Sequence, residues 1–153
     1  MSLTVRDIMT TDVVTISETA TVREAAKLMS EKGVGCLIVL RDGEPVGILT
    51  ERDILVRVVA EGKNPDAVEV GWVMSTPIIK GRPDMTLEEA AKFMTSKKIK
   101  KLPIFEGGKL VGIITLTDLV RSQPYVVELL EDILATEPLP PRFQKVIRPR
   151  RGR

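Results

Sequence analysis

The sequence predicts an α/β (α+β) fold: two tandem β-α-β-β-α units packed as a pseudo-twofold pair, followed by a C-terminal helix and a basic tail. Three observations predict it. Sliding the chain against itself by 65 residues aligns Val5–Val56 with Val70–Arg121 without a gap, and 17 of these 52 positions are identical, where average composition gives roughly three. Each copy alternates apolar residues at helical spacing with short apolar runs of strand length. A unit of about 55 residues also buries too little surface to be stable alone, so two copies facing each other across their sheets make one domain.

Each unit opens on a short strand, Val13–Ile16 or Ile78–Lys80. A helix follows, started by the capping boxes Thr21-Val22-Arg23-Glu24 and Thr86-Leu87-Glu88-Glu89, in which hydroxyl and carboxylate satisfy each other's backbone amides. Val22, Ala25, Ala26 and Met29, with Leu87, Ala90, Ala91 and Met94 in the second copy, fall at i, i+3, i+4 and i+7 and mark the core face. The methionines are therefore packing. Next come a strand (Cys36–Leu40 or Leu102–Phe105), a hairpin turn at Asp42-Gly43 or Gly107-Gly108, a last strand ending at Thr50 or Thr115, and a final helix. Such turn pairs suit the two positive φ angles of a tight hairpin.

The expected boundaries are 1–60 and 70–122 for the units, with a polar, proline-containing linker over 61–69. A further amphipathic helix is expected within 123–136, near Pro124–Ala135, with proline in its first turn. Pro138-Leu139-Pro140-Pro141 then ends regular structure in a tail over 137–153.

Composition narrows the chemistry. The chain of 153 residues is 43% hydrophobic and 29% charged, has no histidine and a single cysteine, Cys36. An internal disulfide is excluded, and a reducing cytoplasm suits it. Without histidine, and without HExxH or GxxxxGKS/T patterns, the usual zinc sites, Ser-His-Asp triads and phosphate-loop ATPase chemistry are absent. The first fifteen residues lack a basic start followed by an apolar run, and the uncharged, largely apolar stretches are short, Gly33–Leu40 ending at Arg41 and Val70–Ile79 at Lys80. A cytoplasmic protein with no membrane contact is expected. The net charge of +2 hides a split, with six basic groups and no acid in the last twelve residues and a net −4 over the preceding 141. Such a tail could bring nucleic acid to the chain.

The repeat places GILTERD (Gly47–Asp53) on GIITLTD (Gly112–Asp118). A Thr followed three residues later by Asp can simply cap a helix. Two such stretches in register, each ending the last strand of a duplicated unit, carry more information. Together with Ile8-Met9-Thr10 opening one copy and Val73-Met74-Ser75 with Pro77 opening the other, the pattern resembles tandem cystathionine β-synthase (CBS) domains, the regulatory pair called a Bateman module.

The resemblance covers residues 3 to about 122 and implies a noncatalytic sensor with no cofactor. Its expected ligand is an adenosine-containing molecule, AMP, ADP, ATP or S-adenosylmethionine, held in clefts between the units. By matching position, Thr50 and Asp53 belong to one cleft and Thr115 and Asp118 to the other, the carboxylate accepting from a ribose diol. Ile48, Leu49, Ile113 and Ile114, with Val13, Val14, Ile78 and Ile79, could wall the adenine or be plain core strands. Lys100-Lys101-Leu102-Pro103 fits the family's phosphate-reaching pattern; Gly35-Cys36-Leu37-Ile38 in the first copy departs from it, with Arg52 as a substitute cation. The resemblance further implies a homodimer whose four units form a flat disc, and a separate regulated protein. The competing reading is a nucleic-acid-binding protein that uses the basic tail and dimerises through the pair; an enzyme acting on bound nucleotide is a third, without a nucleophile or metal cluster to support it.

Overall fold

The computed structural model describes residues 3–124, together with 128 and 135. Most of the expected C-terminal helix, and the whole basic tail, lie outside the described residues. In order, the elements are helix α1 (Val5–Ile8), strand β1 (Thr15–Ser17), helix α2 (Val22–Lys32), strands β2 (Cys36–Arg41) and β3 (Glu44–Thr50), and helix α3 (Glu51–Ile54), which runs on as a π-helical turn over Leu55–Val59. The second copy follows with a 3₁₀ turn (Val70–Trp72), helix α4 (Leu87–Lys97), strands β4 (Lys101–Glu106) and β5 (Lys109–Thr115), and helix α5 (Leu116–Arg121).

The duplication is reproduced in backbone detail. Asp42-Gly43 and Gly107-Gly108 both turn with positive φ at both residues, the twist that lets a two-residue hairpin match its strands. Both hairpins shift register at one matching place, between Val39 and Leu40 and between Ile104 and Phe105. Helices α2 and α4 end at matching residues in the left-handed region, Gly33 (φ 65°) and Lys98 (φ 57°).

Four expectations change. The first strand forms at Thr15–Ser17, so Val13 and Val14 precede it. Ile78–Lys80 is not a strand: the second sheet has only β4 and β5, with one bridge from Gly81 to Ile104. The cause lies in the middle strand. In the first copy the Ile38 amide donates to the Val14 carbonyl at 3.0 Å, but its counterpart is Pro103, which has no N–H to offer. The boxes at Thr21 and Thr86 are half made: each hydroxyl accepts from the amide three residues on, while Glu24 and Glu89 stay exposed and return no bond to the cap amides. Ala26 faces solvent, and Leu28 packs on the core in its place.

There are two cores, and each is completed by the other copy. Leu37, Val39, Leu49 and Val22 gather Val70, Val73 and Met74 around them; Leu102, Ile104, Ile114 and Met94 gather Val5, Ile8 and Met9. The opening segments are thus exchanged. Paired bridges mark the crossing, Thr10 to Ile113 and Ser75 to Ile48. This explains the glycine that begins both motif stretches. A Cβ on Gly47 would lie 2.8 Å from Met74 Sδ and 2.9 Å from the Ser75 carbonyl oxygen; on Gly112 it would lie 2.6 Å from Met9 Sδ and 3.0 Å from the Thr10 carbonyl oxygen.

Candidate functional site

Each motif stretch carries its last strand into a helix through a complete capping box. The Thr50 amide donates to Asp53 Oδ2 at 2.9 Å and the Asp53 amide donates to Thr50 Oγ1 at 3.2 Å. The Thr115 and Asp118 pair repeats this at 2.8 and 3.1 Å. One carboxylate oxygen per copy is therefore committed to the backbone, and the other decides what the residue can do.

In the first copy that oxygen is taken. Ser75 Oγ donates to Asp53 Oδ1 at 2.9 Å, and Arg57 Nε stands 3.9 Å from the same atom. Arg57 is itself held by the carbonyls of Val73 and Met74, to which its Nη1 donates at 3.0 and 2.9 Å. Asp53 is 7% exposed and is the one buried charged side chain among the described residues. In the second copy Thr10 stands where Ser75 does and Ser122 where Arg57 does. Ser122 turns its hydroxyl to the Leu119 carbonyl, and among the described residues no side chain donates to Asp118, which remains half-buried.

A cleft of about 230 Å³ opens against Asp118. The second copy contributes Ile113, Thr115, Asp118 and Lys101; the first contributes Thr10, Asp12, Val13, Val14, the loop Gly33–Gly35, Cys36 and Ile38. Its walls are apolar and its rim carries hydroxyls, two carboxylates and one ammonium. Burial pushes the Cys36 thiol up to about 11, partly offset by the Lys101 charge, so this wall is an uncharged thiol.

Of the residues expected from sequence, the cleft unites Val13, Val14, Ile113, Thr115, Asp118 and Lys101. Leu49, Ile114 and Pro103 are buried, the first two as core. Ile78 and Ile79 are half-buried, Ile79 against the second core. Ile48 spends both backbone groups on Ser75. Lys100 and Arg52 are exposed and neither lines the cleft; the cation that meets Asp53 is Arg57. Sequence reasoning missed Thr10, Asp12 and the Gly33–Cys36 wall, and also the pair that closes Asp53. Arg57 four residues after Asp53 on a helix was a readable signal; Ser75 was not, being brought in by the exchanged segment. Among the described residues no group of His, Cys, Asp and Glu could hold a metal ion, and no helix is long and apolar enough to cross a membrane.

Two matches of the CBS domain family model, over residues 5–60 and 68–125, coincide with the two copies. The chain belongs to the CBS domain family. An uncharacterized protein of Methanopyrus kandleri is 42% identical over 133 residues, covering 86% of this chain and 68% of its own. The CBS domain-containing protein YhcV of Bacillus subtilis is 43% identical over 119 residues, 78% of this chain and 84% of the relative. Among solved structures, the hexameric CBS-CP12 protein of bloom-forming cyanobacteria superposes with a TM-score of 0.76 at 37% identity, covering 82% of this chain and 71% of the other. CBS pairs are typically regulatory, ligand-binding modules, and this chain carries such a pair.

Proposed function

We propose that this CBS pair is a noncatalytic cytoplasmic sensor that binds one adenosine-containing ligand in the Asp118 cleft and signals occupancy to a separate protein. The observation that carries the reading is the edge of the Asp118 carboxylate to which no side chain donates among the described residues, at a cleft walled by both copies. A ribose cis-diol could donate to that edge, while Val13, Val14 and Ile113 offer the apolar slot an adenine needs. A ligand there touches both units at once, so its binding free energy acts on how they sit together. Thermal-shift titration of the ligand-stripped chain against AMP, ADP, ATP and S-adenosylmethionine tests it, because a ligand bound only to the folded state raises the midpoint by mass action. No shift with any of them sinks the reading.

The output surface in this reading is a homodimer face. Leu55 (61% exposed), Val59 (63%) and Val120 (43%) are large apolar side chains on the final helical segments of the two copies, and Leu55 and Val120 occupy matching positions. A second chain covering both segments would bury them. Light scattering checks this: a strictly monomeric mass at micromolar concentration contradicts it. Binding of nucleic acid through Arg142, Lys145, Arg148, Arg150, Arg151 and Arg153 remains the second reading, and a steep salt dependence lost on deleting the tail would favour it.

A further inference from the structure

We infer that the Asp118 cleft selects an adenosine-type ligand with at most one phosphate and turns away di- and triphosphates, an inference that rests on the adenosine-binding reading. Two observations carry it. The first is charge. Among the described lining residues Lys101 is the one cation, and it faces two carboxylates, Asp118 and the exposed Asp12. Glu51 lies across the Gly35 loop, its carboxylate against Gly35 Cα, and lines the adjoining open cleft with Gly33, Val34 and Gly35. Lys100 and Arg52, the other cations near this end of the sequence motifs, do not line it.

One ammonium can neutralise part of a single phosphate. Each further phosphate brings about one more negative charge to a lining whose remaining charges, among the described residues, are acidic, and the repulsion is felt within the screening length. The second observation is size. At about 230 Å³ the cleft falls below the roughly 300–1,000 Å³ usual for drug-sized ligands, which suits a nucleoside with a short 5′ group.

Calorimetric titration of the ligand-stripped chain with adenosine, AMP, ADP, ATP and S-adenosylmethionine, without divalent cations and at low and high salt, tests this. AMP is expected to bind about tenfold or more tightly than ATP at low salt, with the gap narrowing as salt rises. S-adenosylmethionine, which carries a sulfonium in place of phosphate but a 5′ group about as large as a diphosphate, should bind more weakly than AMP on size alone. Lys101→Met should weaken AMP more than adenosine, and Asp12→Lys should bring ATP toward AMP. ATP binding as tightly as AMP, or an ATP-to-AMP ratio untouched by Asp12→Lys, overturns the inference while adenosine binding still supports the sensor. If none of the five binds, the adenosine reading falls and this selectivity with it.

Discussion

Asp53 and Asp118 are the same residue twice, and among the described residues only Asp118 keeps a carboxylate oxygen to which no side chain donates. Their capping distances agree within 0.1 Å, so local sequence sets the same backbone in both copies. What differs is who stands opposite. Ser75 and Arg57 close the second oxygen of Asp53, whereas the matching Thr10 and Ser122 make no such bond to Asp118. A motif therefore specifies a geometry, and its neighbours decide whether the geometry is a staple or a site.

The largest expected effect is a crossed pair of phenotypes. Asp118→Asn should keep a cap acceptor but lose two charge-assisted bonds to a ribose, weakening adenosine-ligand binding about thirtyfold to a thousandfold with near-normal folding. Asp53→Asn should do the reverse. Its amide cannot satisfy the Thr50 amide, Ser75 and Arg57 together, so stability should fall by about 1–3 kcal/mol with affinity per folded molecule unchanged. Calorimetry beside denaturant melts reads both, and equal behaviour of the two variants would erase the distinction between the copies.

Next is the contrast between Cys36 and Lys101, which occupy matching positions and line the one cleft. With its thiol raised to about 11 from 9.0, Cys36 holds about a hundredfold less thiolate at pH 8 than an ordinary cysteine. Alkylation should be slower in proportion and rise about tenfold per pH unit until about pH 11. Lys101→Ala removes the charge that favours thiolate, so labelling should slow further. Rapid labelling at pH 8 would show that the wall is open to water.

Where the copies agree, mutations should cost alike. Gly47→Ala and Gly112→Ala each force a Cβ into a methionine sulfur and a carbonyl at the crossing of the exchanged segments, which should cost about 1–3 kcal/mol in either copy. The smallest effect is at the helix ends. Lys98→Gly should relieve a left-handed side chain and stabilise by about 1 kcal/mol, and Gly33→Ala should lose about as much. Chemical denaturation of the four variants checks the pairing.

The hairpins, their turns and the core faces of α2 and α4 were legible because each is decided by residues a few positions apart. The Thr and Asp of the candidate site followed from register, since a 65-residue offset carries Thr50 and Asp53 onto Thr115 and Asp118. The missing strand at Ile78–Lys80 was written in Pro103, but only for a reader who knew which backbone groups face each other. Ser75 could not be read at all: it lies 22 residues from Asp53 and reaches it by packing. Val13, Val14 and Ile113 were named from the family pattern, but that they line one cleft from opposite copies is a result of packing.

The exchange of opening segments bears on how the chain is made. A ribosome that has released only residues 1–60 has made a sheet whose core still lacks Val70, Val73 and Met74, so the first half has to wait, incompletely sealed, for the start of the second. The second half has the opposite schedule. Its missing pieces, Val5, Ile8 and Met9, are made before any of its own strands, so its core can close as soon as Ile114 and Leu119 emerge. Vectorial synthesis, which usually lets the N-terminal part fold first, here delivers both halves almost together, and neither repeat is an independent piece for grafting or expression.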